Sequence, residues 1–572
     1  MADLKKPRIL RICPLGLVVL AFVLSSTTTA QDLGNIRKEK PFRVNGSLSL
    51  LGGPYFYSGD GTPRNEPFWW NTTGSVTLSI YGWQVPVSFN VGSQQRTWTQ
   101  PFNRYGMSPY YKWAKLHLGY RSVRFNPYTM AGLQFFGAGI ELEPKGFRFA
   151  AFYGRFNKSV AQDTLAAISP RPAYERTGYG VKVGVGSRRN YFDVMFFRAA
   201  DDTTSIPAVT KYDLASAPKE NVALGISSRL ALGKRITWQF DLGASALNED
   251  VRVREAGGSD LPQFARSIYN PRLGSKLLFA GNTSLTYAYK IFSLRAEVKQ
   301  VDPDYRSLGA YYQAADQRSI TVSPSIRLWK NKVRLSGSYG QQQDNISGRK
   351  LFTSIRRIGS ASVSWNPSRS YGADFNFSNY GIAQEAGLRA LSDTFRVAQV
   401  NRSFTLSQRY MRTNTSRTFT ISLSGGLQQL QDLNPYNTYA SSENQVIYGN
   451  LYLSRIRHAD NLSLSGGVNM SRNTSATNEY LLVGPSFGLA KTMAKKKLTA
   501  AVNASWNAAM QNGNSAGNTL NAGTTWQYRV SAMHRFQLTA NALFNSTTFV
   551  ASREFTEVRI LAGYVFVFQT KT

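Results

Sequence analysis

The ten residues Lys497–Trp506, KLTAAVNASW, decide the fold. Leu498, Ala500, Val502, Ala504 and Trp506 take every second position, and Thr499, Ala501, Asn503 and Ser505 stand between them. A period of two puts the first set on one face of an extended strand and the second on the other. The same pattern recurs along the chain. In Ser75–Tyr81, Val76, Leu78 and Ile80 oppose Ser75, Thr77 and Ser79; in Thr418–Ser424, Phe419, Ile421 and Leu423 oppose Thr418, Thr420, Ser422 and Ser424. In Phe536–Asn545, Phe536, Leu538, Ala540, Ala542 and Phe544 oppose Gln537, Thr539 and Asn541. Each segment has one oily and one wet side.

Soluble sandwiches alternate as well, so three further features decide between the two. The segments run about 9 to 12 residues, the length a tilted strand needs to cross a bilayer and more than a soluble strand usually has. They persist with no domain break. Their connections alternate in length: short at Arg188–Arg189, Gly233–Lys234, Tyr289–Lys290, Lys330–Asn331, Asn366–Arg369, Arg457–Asp460 and Met493–Lys496, and long near 155–175, 200–219, 247–272, 302–318, 342–356, 380–394, 429–443 and 508–519. In lipid an open sheet edge leaves backbone groups unpaired at several kcal/mol each, so such a sheet must close. The expectation is an all-β chain forming one large transmembrane antiparallel β-barrel over residues 42–572. About 25 segments can be counted; both ends on one side of the membrane require an even number, so 24 or 26 strands are expected. The rhythm fails between Asn90 and Phe152, and the block 92–132 reads equally as an external cap, a luminal insertion or an extra hairpin.

The last segment, Glu557–Gln569, sets Val558, Ile560, Ala562, Tyr564, Phe566 and Phe568 on one face. It resembles the aromatic closing strand of bacterial outer-membrane barrels, departing from it in the polar tail Gln569–Thr572. Alternation starts by Phe42, leaving only Gln31–Pro41 as a short periplasmic segment, with no room for an N-terminal plug domain. The chain therefore resembles plug-less outer-membrane barrels of the porin or channel type. That resemblance implies localisation in the bacterial outer membrane, with short periplasmic turns and longer outer loops.

Residues 1–30 read as a cleaved signal peptide: Lys5, Lys6, Arg8 and Arg11, then the apolar run Pro14–Leu24, then Ser25–Ala30. That run is too short to span a bilayer comfortably. The one cysteine, Cys13, precedes the run, so neither a lipid anchor nor a disulfide is expected. Removing the leader's four cations and one acid from the formal +34 leaves +31. Export argues against nucleic acid as the partner, and no basic run has the aromatic interleaving of a nucleic-acid module. Outer-membrane lipids and small, anionic solutes are the expected partners.

Charges opposite apolar positions are expected on the lumen face, because lipid exposure at midplane costs about 2–4 kcal/mol. They are Lys115, His117, Lys182, Arg295, Glu297, Lys299, Arg334, Asp374 and Arg559. Either they give a net-basic, anion-favouring lumen, or they pair across strands and stiffen the wall. The longest connection, Asn248–Arg272, offers Asp250, Arg252, Arg254, Glu255 and Asp260 either as a constriction or as a mobile external loop. The short turns are basic, among them Arg188, Arg189, Lys234, Arg235, Lys330, Lys332, Arg455, Arg457 and Lys495–Lys497. There they either attract anionic lipid or are solvated rim charge.

With three histidines (His117, His458 and His534), no G-x-S-x-G elbow and no His-Glu-x-x-His helix, no enzyme is expected. No metal or other cofactor is expected either. Two functions remain: a diffusion pore for small anionic solutes, or a non-conducting barrel serving adhesion, assembly or export.

Overall fold

The computed structural model describes residues 42–93, 100–162, 171–207, 216–256, 266, 268–310, 314–386, 397–434, 443–547 and 553–569. Residues 1–30, expected to form a signal peptide, residues 31–41 and Asp260 lie outside these. The strands, in order, are β1 (Phe42–Gly59), β2 (Phe68–Ile80), β3 (Trp83–Gly92), β4 (Arg104–Met107), β5 (Tyr110–Tyr111), β6 (Ala114–Arg124), β7 (Ala131–Leu142), β8 (Phe147–Asn157) and β9 (Glu175–Gly186). Next come β10 (Tyr191–Asp202), β11 (Glu220–Leu232), β12 (Ile236–Asn248), β13 (Lys276–Tyr289), β14 (Phe292–Val301), β15 (Gln317–Leu328), β16 (Val333–Gln343), β17 (Phe352–Trp365) and β18 (Tyr371–Ala386). The last are β19 (Ala398–Thr413), β20 (Arg417–Asp432), β21 (Asn444–Arg457), β22 (Leu462–Ser475), β23 (Glu479–Met493), β24 (Leu498–Gln511), β25 (Asn514–Arg529), β26 (His534–Thr547) and β27 (Arg553–Gln569).

Apart from β4 and β5, which do not pair with each other, all pair antiparallel with their chain neighbours, and β1 closes on β27 through registers such as Leu48–Phe566 and Leu50–Tyr564. The sheet has 27 strands, but β4 and β5 share one place between β3 and β6, leaving 26 around the wall. The irregular block thus holds a broken strand. Pro109, which has no N–H, interrupts the ladder between Met107 and Tyr110. That break is why segment counting gave an odd number.

Two expectations need correction. Strands β17–β27 run 14–17 residues, longer than the 9 to 12 expected and more than a tilted strand needs to cross a bilayer. The long connection expected at 508–519 is instead the two-residue turn Asn512–Gly513, with φ of 51° and 81°. Two successive left-handed residues make the turn whose twist matches that of the flanking strands. The other rim, where β1 begins and β27 ends, carries the short turns, including the basic ones. It is called the turn rim below, and the opposite end the loop rim.

Register separates the two faces. Val183, Val194, Ile226 and Leu242 stand side by side on β9–β12. One position along, Gly184, Asp193, Ser227 and Asp241 form the matching row of the opposite face. Val183, Val194, Leu224 and Leu242 are exposed, whereas Asp193, Ser227 and Asp241 are buried. Apolar side chains left uncovered outside and polar ones covered inside suit a wall with lipid on its outer face.

The candidate lumen and its docked layer

The inner face is not evenly lined. On β9, β11 and β12 it carries Gly180, Gly225 and Gly243, and the connection between β6 and β7, Phe125–Met130, lies against them. A Cβ on Gly225 would meet Thr129 Cγ2 at 2.7 Å and Asn126 Nδ2 at 2.8 Å; one on Gly243 would meet Tyr128 Cβ at 2.5 Å. These glycines form a floor because nothing larger leaves room for a second layer of backbone.

Asn126, 1% exposed, organises that layer. Its Oδ1 accepts from the N–H of Tyr128 (2.9 Å), the N–H of Thr129 (2.8 Å) and the Thr129 hydroxyl (2.8 Å), while its Nδ2 donates to Leu242 O on β12 (2.9 Å). Tyr128 OH reaches Asn282 Oδ1 on β13 at 2.9 Å. The connection between β14 and β15 completes the layer. Tyr305 OH donates to Tyr128 O (2.7 Å), Ser307 Oγ to Thr129 O (2.6 Å), and the Leu308 N–H to Asn221 Oδ1 on β11 (3.0 Å). Beneath lie Phe125, Met130, Phe135, Phe152, Phe156, Met195, Phe197 and Leu308, an apolar core inside the wall. Burial raises the phenols of Tyr128 and Tyr305 above their ordinary range, so both stay protonated donors.

The luminal structure is therefore built by Phe125–Met130 and Tyr305–Gly309. The described part of Asn248–Arg272 stays at the loop rim. Asp250 pairs with Arg252 at 2.8 Å, the Val251 N–H donates to Pro218 O, Glu255 bridges to Arg272, and the Leu273 N–H donates to Arg254 O.

The other sequence-predicted residues fall as follows. Lys115 and His117 of β6 flank Glu141 of β7: His117 Nε2 lies 2.6 Å and Lys115 Nζ 3.4 Å from Glu141 Oε1, and Ser108 Oγ lies 3.3 Å from His117 Nδ1. This Ser108–His117–Glu141 chain was not legible in the sequence. It bridges the break in the wall. The Ser108 N–H is held by Pro86 O and the next residue is Pro109, so neither can aim a backbone donor at an oxyanion. Lys182 is buried with its Nζ 5.8 Å from the Phe125 ring centre. Arg295 and Glu297 pair with each other at 2.6 Å, and Arg559 stacks over Trp69 at 4.9 Å. Lys299, Arg334 and Asp374 have no ionic partner among the described residues.

Sequence reading missed two two-pronged inner pairs. Arg148 of β8 grips Asp193 of β10 through two bonds, Nε–Oδ1 at 2.8 Å and Nη2–Oδ2 at 3.0 Å. Gly184 lies between them in the register, and a Cβ there would sit 1.9 Å from Asp193 Oδ1. Arg176 holds Asp201 in the same two-pronged way at 2.7 and 2.9 Å. Away from Arg334, Arg356, Asp374 and Arg409, the remaining inner wall of β16–β25 is open and almost uncharged. Ser336, Ser338, Ser360, Ser362, Asn376, Ser378, Ser403 and Thr405 pave β16–β19, and from β20 to β25 the inward positions between Thr418 and Gln527 are Ser, Thr, Asn, Gln, Gly, Ala and apolar or Tyr residues, apart from Asp432 at the end of β20.

At the loop rim Asp316 meets Lys350, and it accepts the N–H of Asn345 (3.0 Å) and of Ile346 (2.9 Å). Burial pushes its carboxyl up, but the ammonium and the two amides outweigh this and hold it below its ordinary 3.8. A depressed carboxylate contributes stability that is present above its unfolded pKa and lost as pH falls through the folded one. The Asn345 and Ile346 amides are thus expected to keep their hydrogen-exchange protection at pH 7 and to lose it only as the pH falls below the carboxyl's ordinary 3.8 and through its lowered pKa, with Asp316→Asn unprotected throughout. Equal protection at both pH values would refute the anchoring role.

No protein-family model matches this sequence, and no curated protein matches it. Solved structures with a similar course include the P pilus usher (PapC) translocation pore, at 11% identity over 93% of this chain and 99% of that one, with a TM-score of 0.26. The FrpB iron transporter from Neisseria meningitidis is 10% identical over 91% of this chain and 81% of that one, with a TM-score of 0.38. Pseudomonas aeruginosa OccK3 is 9% identical over 69% and 96%, with a TM-score of 0.30. Likenesses this remote carry nothing about ligand or mechanism.

Proposed function

We propose that this chain is a bacterial outer-membrane pore, exported by its cleaved leader, that passes small anionic solutes through a lumen narrowed on one side by the docked layer. One observation carries the reading. Of the inward carboxylates, Glu141, Asp193, Asp201 and Glu297 are each engaged by a cation, and Asp241 and Asp374 stand without one among the described residues. Against these, six inward cations, Arg229, Lys299, Arg327, Arg334, Arg356 and Arg409, have no carboxylate within bonding distance among the described residues. Arg327 and Arg334 stand directly opposite each other near the turn rim. Uncompensated cations in a confined aqueous space raise the local anion concentration. Lys299, Arg327 and Arg334 would set the field, the neutral wall of β20–β25 would give solutes a path without ionic traps, and the docked layer would limit their size.

The test is reversal potential across planar bilayers under a salt gradient. Wild type is expected to favour anions, and Arg327→Glu with Arg334→Glu, a change of four charges, to move selectivity to neutral or cationic. Cation preference in the wild type would refute the reading. The docked layer also suits a second one, a barrel too occluded to conduct that serves adhesion, assembly or export. Absence of conductance in a folded sample would favour it.

A further inference from the structure

The outer face of β19–β23 at the turn rim carries a cluster of cations that the pore does not use. Register places Arg412, Phe419, Arg455 and Leu464 side by side, and one step nearer the rim Arg417, Arg457, Leu462 and Lys491. All five cations are exposed and share the parity of Tyr410, Leu423, Leu453 and Phe487, the apolar side chains turned away from the lumen. Directly above them, Tyr410, Ile421 and Leu453 form one continuous apolar row. Among the described residues, the only acid bonded to the group is Asp460, which meets Arg457. Five positive charges bordering a lipid-facing apolar belt are placed where acyl chains end and headgroups begin.

We infer that this surface binds the phosphates of anionic phospholipids in the leaflet on the turn-rim side, two or three headgroups lying along the two cation rows with their chains on Tyr410, Ile421 and Leu453. The inference rests on the outer-membrane reading of the fold but not on the selectivity of the pore. Guanidinium groups suit it because each presents a planar fork of donors to phosphate oxygens. A soluble acidic protein would have to displace lipid from the adjoining apolar row. With the short turns on the periplasmic side, as the outer-membrane reading has them, lipid A would lie at the opposite rim, so phospholipid is the occupant that fits.

The test is native mass spectrometry of the full folded barrel in detergent, titrated separately with phosphatidylglycerol, phosphatidylcholine and lipid A. Wild type is expected to retain phosphatidylglycerol over both others. Each lost cation should weaken that binding by about fivefold, so Arg412→Gln, Arg417→Gln, Arg455→Gln and Lys491→Gln together should weaken it by more than about a hundredfold and abolish the preference. Arg188→Gln, Arg189→Gln, Lys234→Gln and Arg235→Gln, in turns of another sector, should leave it in place. Heat-modifiable migration on gels checks that each variant is folded, and bilayer conductance, expected to be unchanged in the first set, separates this surface from the pore. No phosphatidylglycerol preference in wild type, equal loss in both variant sets, or a preference for lipid A would each overturn the inference.

Discussion

Asn126→Leu is expected to release the docked layer and raise single-channel conductance while the barrel stays closed. Leucine fills similar space but accepts nothing, so the Tyr128 and Thr129 amides and Leu242 O lose their partner in a buried site. Each unsatisfied group costs about 1–3 kcal/mol, enough together to favour the connection leaving its seat for water. Gly225→Leu attacks the same contact from the wall side, since even its Cβ would come within 2.8 Å of Asn126 Nδ2 and Thr129 Cγ2. Both variants should give wider channels and new cleavage by chymotrypsin at Tyr128. If each conducts as wild type does and resists the protease, the layer does not narrow the path.

The second large effect is on stability. Asp193→Ala should destabilise the barrel by about 3 kcal/mol, because it leaves the Arg148 guanidinium, 13% exposed, with only the longer ionic contact to Glu143 at 3.7 Å. Gly184→Val should reach a similar value through the side chain it drives into the Asp193 carboxylate. Arg334→Ala, which removes an unpaired and hydrated charge, should cost under about 0.5 kcal/mol. Urea unfolding in lipid vesicles measures all three. Equal values for Asp193→Ala and Arg334→Ala would mean that the buried pair contributes nothing particular.

The wall was legible in the sequence because a barrel in lipid writes its two solvents into every second residue. Val502, Phe419 and Leu538 all fall on the predicted outer side by register. What the sequence hid depends on what lies across the sheet. Arg148 and Asp193 are 45 residues apart and read as isolated charges until β8, β9 and β10 are in register. The docked layer left one trace, glycines at Gly178, Gly180, Gly184, Gly225 and Gly243 on a single face, which alternation treats as merely small. The connection expected at 508–519 was misread for a related reason. Polar residues at the ends of strands longer than a bilayer needs look like loop, although Asn512–Gly513 is itself a strong hairpin signal.

The seat of Phe125–Met130 also dates its own formation. Asn126 is bound 116 residues downstream at Leu242, and Thr129 is bound 178 residues downstream at Ser307. Neither partner has a fixed position until β12 and the β14–β15 connection have joined the growing sheet. Contacts so distant in sequence form late and slowly, so hairpins β6–β7 through β14–β15 must be laid down while the inner segment is still unattached. During biogenesis the nascent cylinder is then wider and wetter than the finished one, and its inner lining settles as one of the last events.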